Sequence, residues 1–435
     1  MSVLFASYGD EVKTSKDSLS GAEVAWKYER TQIMSARTTF GIVIWTAIIL
    51  CPATWSNATE DQGIKEELSS QMVAAPAQGW KSLVISSARF VKTDLTIPPN
   101  VCLRFEDGGT CDVQQGATLT INGPIQAPLV RVFSGKGEVC FGPGHVKEAY
   151  PQWWGAHTDD DLDDAVAIQA AIDSMSYKGR FSKEHVPPNT GIVCFPSGRY
   201  MVSTTLKLYH GTTLKGSAAP DRTELCASRP LPAILQRPDL TAPPEGSEYN
   251  FNARISGVRI STLQLNGKGS SVGLDMTNVG YSLIEDVIVR ECKTGILLGG
   301  LAMHNSFRNI NVYSTHTGIE VNECAEHGSI FGGSVSKCEI GISIRMAQGW
   351  TVYGTSFETY KNTGIDVQAG DSVNLDYLWF AAAPPATAIR IAPEASACSI
   401  INPRFHGTTP RRIDDRASDT LIQMPKIQTP NSERE

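Results

Sequence analysis

Hydrophobic and polar residues in the C-terminal half of the chain alternate in short runs that recur at a fixed interval. The runs are VGLDM, TGILL, TGIEV, IGISI and TGIDV, and their glycines lie at positions 273, 295, 318, 341 and 364. Successive glycines are therefore 22, 23, 23 and 23 residues apart. Alternation with a period of two predicts β-strands, because neighbouring side chains of a strand point to opposite faces. The constant step predicts a solenoid in which each coil supplies one such strand.

A second hydrophobic track runs about eleven residues ahead of each glycine, with IEDVIV from 284, FRNINV from 307 and IFGGSV from 330. Each unit then holds two or three short strands and cannot bury its apolar side alone, so the units must stack. Helical repeats would show a period of 3.6 residues, and leucine-rich repeats would show regular leucine and asparagine positions. The predicted fold is therefore an all-β, right-handed parallel β-helix.

The segment 150–175, YPQWWGAHTDDDLDDAVAIQAAIDSM, breaks the strand pattern. Its apolar positions Ala165, Ile168, Ile172 and Met175 follow helical spacing, and Asp161 is placed to cap the helix. Such a helix would cover the open end of the β-helix, where an exposed strand edge invites aggregation. We expect an N-terminal capping α-helix here.

Together with GIVCFPSGRYMVSTTLKLYHGTTLKGS at 191–217, this segment resembles the opening part of pectate-lyase-superfamily β-helices. That group includes rhamnogalacturonase- and epimerase-like proteins and phage tailspikes. The acidic turn HTDDDLDD lacks the Asp-Gly turn that is common in the group. The resemblance implies a parallel β-helix and a carbohydrate-active function, and it implies the fold more strongly because many functions share one fold.

The N-terminal region resembles a secretory signal. Arg37 precedes the apolar stretch 40–53, which is followed by the small residues 56–58. Because 33 residues precede Met34, we expect translation to start at Met34. The stretch is shorter than the roughly 20 apolar residues of a membrane span, so we expect cleavage and a secreted or cell-surface protein. The alternative is an uncleaved anchor, which is the one case in which the chain would stay inserted in a membrane.

The resulting domain prediction has five parts. They are an N-terminal extension with the signal-like segment (1–58), a linker (59–82), N-terminal β coils or a small β layer (83–148), the pectate-lyase-like β-helix (149–408) and a polar tail expected to be disordered (409–435).

Composition excludes several classes of protein. The chain is 41% hydrophobic and 19% charged, and its net charge of −7 includes no basic block that could neutralise nucleic-acid phosphates. Beyond Ala58 there are nine cysteines without a CxxC pair, which argues against a disulfide framework or a structural zinc site. A single disulfide bridge between Cys102 and Cys111 remains an alternative. No nucleic-acid partner is expected, and the sequence indicates no oligomeric state.

Candidate chemistry follows from the strand alternation. If the Ile and Val of each run point inward, the residue between them points outward. The first outward column then contains Asp275, Leu297, Glu320, Ser343, Asp366 and Arg390. The next column contains Thr277, Gly299, Asn322, Arg345 and Gln368. A register shift of one residue would turn all of these side chains to the other face.

Carboxylates in the first column predict a catalytic pair. Glu320 and Asp366 are two coils apart, as are Asp275 and Glu320, which separates their backbones by roughly 9.6 Å. Movement of the side chains can bring the two carboxyl groups to a separation of about 6.5–9.5 Å, which is the range for the catalytic carboxyl groups of an inverting glycosidase. Arg345 lies in the intervening coil and could bind an acidic sugar, which favours Glu320 with Asp366. Solvated charges on an exposed sheet face are the alternative.

A stack of rings at the turns predicts substrate binding. His304, His327 and Trp350 each lie nine residues after their glycine, and Tyr281 lies eight after its own. Stacked rings can support sugar faces, and they can also stabilise turns without any ligand.

The absence of known catalytic series limits the prediction of activity. The polygalacturonase NTD, DD, GHG and RIK series, the acidic cluster of calcium-dependent pectate lyases and the Tyr-Asp-His signature of alginate epimerases are not found. A lyase would need a cation for the substrate carboxylate, for which Arg308, Lys337 and Arg345 are available. No cofactor is predicted, except calcium for a lyase.

The prediction is a secreted polysaccharide-active enzyme, either a glycoside hydrolase or a polysaccharide lyase, acting on an extended glycan that is either acidic or neutral. The alternative is a non-catalytic extracellular β-helix that binds glycan or serves adhesion. A phage-like spike would form a tight trimer, but the signal-like segment argues against it.

Overall fold

A computed structural model describes residue 79 and residues 81–142, 144–176, 191–238, 254–381, 385–406 and 413–425. The predicted signal-like segment and the expected start at Met34 lie outside the described residues. Among the described residues, no helix combines the length and the apolar character needed to cross a membrane.

Nine short strands form the N-terminal part: β1 Lys81–Ile85, β2 Ala88–Val91, β3 Leu95–Ile97, β4 Val101–Phe105, β5 Thr110–Val113, β6 Thr118–Ile121, β7 Ile125–Gln126, β8 Phe133–Gly135 and β9 Glu138–Phe141. They pair in parallel as β1–β4–β7, β2–β5–β8 and β3–β6–β9. Every third strand therefore stacks on the one before it, which makes three coils of three strands. These coils cover most of the region 83–148, for which N-terminal β coils or a small β layer were predicted.

The following strands lead into the main solenoid: β10 Glu148–Ala149, β11 Ile192–Phe195, β12 Gly198–Val202, β13 Leu206–Lys207, β14 Thr213–Gly216, β15 Thr223–Ala227, β16 Ala233–Gln236, β17 Ile255–Ser256, β18 Arg259–Asp275, β19 Val279–Gly280 and β20 Leu283–Leu298. A short 3₁₀ helix, Pro220–Arg222, precedes β15. The long strands β18 and β20 each pass along several faces of their coil.

The regular coils contain β21 Ser306–Arg308, β22 Asn311–Tyr313, β23 Thr317–Val321, β24 Ala325–Glu326, β25 Ser329–Phe331, β26 Ser334–Ser336, β27 Ile340–Ile344, β28 Ala347–Gln348, β29 Thr351–Tyr353, β30 Ser356–Glu358, β31 Thr363–Asp371, β32 Asn374–Asp376, β33 Trp379–Ala381, β34 Thr387–Ser396, β35 Ser399–Ile401, β36 Arg404–Phe405, β37 Ile413–Asp415 and β38 Leu421–Gln423.

Parallel pairing between coils builds three ladders. The first ladder is β21–β25–β29–β32–β35–β38, and the second is β22–β26–β30–β33–β36. The third is the C-terminal part of β20 followed by β23–β27–β31–β34–β37. The predicted all-β parallel β-helix is confirmed by this pairing.

The core lies inside the coils. In the third ladder Ile296, Ile319, Ile342, Ile365 and Ile389 stack with at most 1% of their surface exposed. Full burial of each such side chain contributes about 1.5–3 kcal/mol relative to leaving it in water. The glycine before each of the first four isoleucines is required by close packing, since a Cβ at Gly341 would lie 2.4 Å from the carbonyl oxygen of Gly364.

One α-helix, α1 Ala165–Met175, follows a 3₁₀ helix at Pro151–Trp154. Its predicted apolar side, including Ile168 and Ile172, is buried. The helix packs against β9 and β13. Three coils precede it in the chain, so it lies between the N-terminal coils and the main solenoid. It does not cover the first coil, as a cap of the whole β-helix would.

The capping residue of α1 differs from the prediction. Asp164 is the N-cap residue, whereas Asp161 forms an ion pair with Arg199 at 2.7 Å. The Asp164 carboxylate accepts the backbone N–H groups of His157 at 2.9 Å and Met201 at 3.1 Å, and 3% of the residue is exposed. Asp164 therefore joins the start of α1 to strand β12. Burial raises the pKa of Asp164 to about 6, against the opposing effect of the two N–H donors.

The C-terminal segment also differs from the prediction. Strands β37 and β38 pair in parallel with β34 and β35, so part of the polar segment expected to be disordered continues the solenoid. Within the proline-rich region after Ser228, β16 pairs with β13 and β18. Backbone hydrogen bonds to the preceding coil hold β37 and β38 in place despite the polar composition of their segment.

Candidate functional site

The outward face of the third ladder carries the predicted column of polar residues. The pairing aligns Asp275, Leu297, Glu320, Ser343, Asp366 and Arg390 in this order. Their neighbours Ile319 and Val321 are 1% and 0% exposed, so they face the core and the column faces away from it. Register and alternation therefore agree with the prediction.

Glu320 lies at the centre of this face. Its Oε1 is 3.3 Å from Nη2 of Arg345, and its Oε2 accepts a hydrogen bond from the Thr294 hydroxyl at 3.3 Å. The Glu320 side chain is 15% exposed, whereas that of Arg345 is 55% exposed. The carboxylate is therefore oriented by its neighbours, and the guanidinium remains accessible to a ligand.

Asp366 lies two coils from Glu320 and is more deeply placed. Its Oδ2 is 3.6 Å from Nη1 of Arg390 and accepts the Gln368 amide at 3.1 Å. The Asp366 side chain is only 6% exposed. Its Oδ1 is buried and has no hydrogen-bond partner among the described residues, and the same holds for Ser343 Oγ in the preceding coil. Two adjacent polar atoms of this column thus lack a donor or acceptor.

A cavity of about 490 Å³ opens beside the column. It is lined by members of the second outward column, Thr277, Gly299, Asn322 and Arg345, together with Gly300, Glu323 and Met346. Gly299 lies between Thr277 and Asn322 in this lining, and a Cβ there would be in ordinary van der Waals contact with the Asn322 Cβ at 3.6 Å and the Thr277 hydroxyl at 3.7 Å. The volume falls in the range of about 300–1,000 Å³ that is usual for small-ligand sites.

Asp275 belongs to the same column but is separate from the paired carboxylates. Its Oδ1 accepts the backbone N–H of Thr277 at 2.9 Å. The aligned residue in the next coil is Leu297, which separates Asp275 from Glu320. Glu320 and Asp366 are therefore each held in an ion pair, with Arg345 and Arg390, whereas Asp275 has a local turn contact and no ion pair among the described residues.

The predicted stack of rings at the turns is present for three of its four members. The ring centroids of Tyr281 and His304 are 5.0 Å apart, and those of His304 and His327 are 5.2 Å apart, with both pairs stacked. Arg254 extends the stack, with its guanidinium carbon 4.9 Å from the centroid of the Tyr281 ring. The three rings are exposed and can contact a ligand.

Trp350 does not belong to this stack, and its predicted position there is wrong. The turn position after His327 is occupied by Gly349, where a Cβ would lie 2.5 Å from His327 Nδ1. Strand β28 starts 22 residues after β24, so this turn comes one residue earlier than the glycine spacing suggests. Trp350 is fully buried, and its indole donates to the carbonyl of Ala325 at 2.8 Å. It is a core residue.

The two other cations considered for a lyase lie elsewhere. Arg308 ends β21 in the first ladder, and Lys337 occupies a turn with φ of 52° after the second ladder. Of the three predicted cations, only Arg345 lies on the face that carries the carboxylates.

A further polar cluster, which no sequence pattern indicated, lies on strands β15, β18 and β20. Glu224 Oε1 accepts hydrogen bonds from Gln264 at 2.6 Å, Asn266 at 3.0 Å and Arg290 at 2.7 Å. These donors lower the pKa of Glu224, although burial alone would raise it. The four residues are up to 66 positions apart, and three of them precede the first repeated run at 272, so spacing gives no signal for them. The cluster ties three coils together.

The part of the chain that the structure describes contains no cluster of potential metal ligands and no disulfide. No group of three or more His, Cys, Asp or Glu residues there could hold a metal ion. The nine described cysteines are all free, including Cys102 and Cys111, so the bridge left open between them is not formed.

Comparison with known proteins finds a protein family that matches the segment around α1. Residues 153–229 match a protein family described as Rhamnogalacturonase A/epimerase, pectate lyase-like. This match confirms the resemblance to the pectate-lyase superfamily, and it covers the helix and the first strands of the main solenoid. No curated protein matches the chain.

Three solved structures illustrate the range of similar chains. The ORF18 protein of Geobacillus virus E2 is 14% identical with a TM-score of 0.37, over 60% of this chain and 62% of that one. Tailspike protein 2 of an Escherichia coli O157:H7 bacteriophage is 14% identical with a TM-score of 0.44, over 64% and 42%. The catalytic unit of a GH87 α-1,3-glucanase from Streptomyces thermodiastaticus is 16% identical with a TM-score of 0.44, over 65% and 57%. This chain thus spans less than two thirds of each of these proteins.

Proposed function

We propose that this chain is a polysaccharide-active enzyme that binds an acidic glycan along the outward face of the third ladder and hydrolyses it with Glu320 and Asp366. The observation that carries the proposal is the ion pair of Glu320 with the exposed Arg345 at the edge of the cavity of about 490 Å³. A carboxylate of the substrate would bind the Arg345 guanidinium, which matches carboxylate geometry with two parallel N–H donors.

Hydrolysis needs two carboxyl groups in different protonation states. One carboxyl group donates a proton to the glycosidic oxygen as the bond to the leaving sugar breaks, and the other removes a proton from the attacking water. Substrate binding to Arg345 would draw the guanidinium away from Glu320 and leave that carboxyl group free to take part. The buried Oδ1 of Asp366 and Oγ of Ser343 lack hydrogen-bond partners among the described residues, and unpaired buried polar atoms of this kind occur at catalytic sites.

The signal-like segment supports export, so the substrate is placed outside the cell or at its surface. Lysine and arginine residues form no basic stripe in the sequence, which favours a glycan over a nucleic acid as the extended polyanion.

A non-catalytic glycan-binding protein is the second candidate. The specific observation in its favour is that both carboxylates are held in ion pairs and that Asp366 is only 6% exposed. A purely structural ladder of opposite charges would look the same. Only a measurement of substrate turnover therefore distinguishes the enzyme from the non-catalytic binding protein.

The test is incubation of the full chain with acidic and neutral plant, algal and bacterial polysaccharides, with and without calcium. Reducing ends report hydrolysis, and absorbance of unsaturated sugars reports elimination. Hydrolysis should fall at least 100-fold in Glu320→Gln and in Asp366→Asn, which is the usual size of an acid or base contribution. Glu339→Gln is the matched control, because Glu339 is also ion-paired, to Lys361 at 3.5 Å, but lies outside the face.

The outcomes separate the candidates. Unsaturated products would show that the enzyme is a lyase and not a hydrolase. In that reaction a base removes the C5 proton of an acidic sugar, and the bond to the O4 leaving group breaks. Binding without any turnover would favour the second candidate. Full activity in both carboxylate variants would remove Glu320 and Asp366 from the mechanism.

A further inference from the structure

A strip of exposed aromatic rings lies on the first ladder, on a different face from the carboxylate column. Phe331 ends β25, Tyr353 ends β29 in the next coil, and Tyr377 follows β32 in the coil after that. The centroids of Phe331 and Tyr353 are 6.2 Å apart, and those of Tyr353 and Tyr377 are 5.4 Å apart. We call these three residues the aromatic strip.

The rings of the aromatic strip belong to the surface and not to the core. Phe331, Tyr353 and Tyr377 are 41%, 44% and 48% exposed, whereas the adjacent Ile330 and Val352 are at most 1% exposed. Large apolar side chains left in water on three consecutive coils contribute little to stability. Aligned exposure of this kind marks a surface that becomes covered by a ligand or partner.

The backbone of Tyr377 adopts a conformation that is unfavourable for a bulky side chain. Its φ is 53°, in the left-handed region that disfavours bulky side chains, while the same turn position is Gly332 and Gly354 in the two preceding coils and Asn402 in the next. All four backbone N–H groups donate to the following coil in the same way. Glycine or asparagine would satisfy this turn with less strain, so the ring itself requires another explanation.

Polar residues flank the aromatic strip on both sides. Ser329 and Thr351 precede Phe331 and Tyr353 by two residues, on the same outward face of the first ladder. Across the turn, Ser334 and Ser356 start strands of the second ladder and are aligned with each other. Phe331 and Tyr353 are thus bordered by hydroxyl groups within their own coils, whereas the coil of Tyr377 has Asn374 and Trp379 at the corresponding positions.

These features together suit one kind of ligand. A pyranose sugar has an apolar C–H face that stacks on an aromatic ring and a rim of hydroxyl groups that form hydrogen bonds. The ring separations of 5.4 and 6.2 Å are close to the length of one sugar residue in an extended chain. In the column of Phe331 and Tyr353, Arg308 lies in the preceding coil and Asp376 in the following one, so these four positions carry one charge of each sign and no net charge.

We propose that the aromatic strip is a second glycan-binding surface, which takes a neutral polysaccharide chain running along the solenoid axis. Successive sugar rings stack on Phe331, Tyr353 and Tyr377, and the flanking hydroxyl side chains bind the sugar rims. Trp379 starts the next strand two residues after Tyr377 and is 47% exposed, so it extends the surface around the corner. This surface goes beyond the proposed hydrolysis and does not require it.

The experiment is affinity electrophoresis of the full chain in native gels that contain hydroxyethylcellulose, galactomannan or soluble β-1,3-glucan. Retardation in at least one of these neutral gels is expected. The double variant Tyr353→Ala with Tyr377→Asn should lose at least tenfold in affinity, and asparagine keeps the turn conformation that Asn402 shows in the next coil. Phe90→Ala is the control, because Phe90 is 52% exposed on the N-terminal coils.

A second readout guards against loss by misfolding. Quenching of tryptophan fluorescence by the same polysaccharide should be present in the native chain and reduced in Trp379→Phe, since Trp350 is buried. Glu320→Gln should bind the neutral gels like the native chain, which separates this surface from the proposed catalytic site. The proposal is overturned if the native chain is not retarded in any of the three gels, or if the folded double variant is retarded as strongly as Phe90→Ala.

Discussion

Arg345 Nη2 lies 3.3 Å from Glu320 Oε1, although the two residues belong to neighbouring coils and to different outward columns of the third ladder. The contact is diagonal across the face and joins the carboxylate column to the lining of the cavity. It makes Arg345 the residue through which an acidic ligand in the cavity would affect Glu320.

Replacing Arg345 by glutamine should raise the KM for an acidic glycan about tenfold or more, because a charge-assisted contact contributes about 1.5–3 kcal/mol. Stability should change by less than about 0.5 kcal/mol, since ion pairs of exposed side chains contribute little. The KM of Arg345→Lys should lie between those of the native chain and Arg345→Gln, because lysine keeps the charge and loses the paired donors. Steady-state kinetics on acidic and neutral substrates provides the measurement. Equal KM values for all three proteins would contradict a role for Arg345 in binding.

The pair of Asp366 and Arg390 should behave as a stabilising unit. Arg390→Met leaves the nearly buried carboxylate without its cation and should destabilise the fold by about 1–2 kcal/mol, less than a fully buried pair because Arg390 is 35% exposed. The double variant with Asp366→Asn should recover most of the loss. Urea denaturation of the two single variants and the double variant gives the coupling free energy. A coupling near zero would mean that the two charges act independently.

Trp350 should be essential for stability and not for ligand binding. Trp350→Ala removes a fully buried indole and its hydrogen bond to Ala325, which should cost about 3–5 kcal/mol. His327→Ala, at the exposed turn one coil earlier, should cost less than about 1 kcal/mol. Thermal denaturation of both variants checks the difference. If Trp350→Phe folded with native stability but lost glycan binding, the assignment of Trp350 to the core would be wrong.

Asp164 should make the stability of the chain depend on pH between about 4 and 6. Its pKa in the folded chain is about 6, above the usual value of 3.8, so the folded state binds the proton more tightly than the unfolded state. The stabilisation by the protonated Asp164 is therefore complete below pH 4 and is lost as the pH rises to 6. The loss is about 3 kcal/mol, because the pKa is raised from 3.8 to about 6. Asp164→Asn should remove this dependence. Denaturation midpoints at pH 4, 5, 6 and 7 test it, and an unchanged profile in the variant would assign the dependence to another group.

The strands and their faces could be predicted because the repeat is nearly regular. The glycines of the TGIxV runs recur every 22 or 23 residues, and alternation within each strand separates Glu320 and Asp366 from the buried Ile319 and Val367. In a parallel β-helix the residues at equal positions of successive coils lie side by side, so a constant spacing fixes neighbours as well as elements.

The turns could not be predicted in the same way, since their length varies from coil to coil. One shorter turn places Gly349 in the ring stack and turns Trp350 into the core. Phe331, Tyr353 and Tyr377 are 22 and 24 residues apart and occupy two different positions of the ladder, which hides their alignment in the sequence.

The parallel β-helix, the helix around Ile168 and the column that contains Glu320 and Asp366 follow from the amino-acid sequence, because local alternation and a fixed repeat length are properties of the chain. The contacts of Arg345 with Glu320, of Arg390 with Asp366 and of Asp164 with β12 are visible only in the folded chain. These contacts depend on side-chain direction and on turn length, and both are set when the coils stack and each polar group finds the partner nearest to it in space.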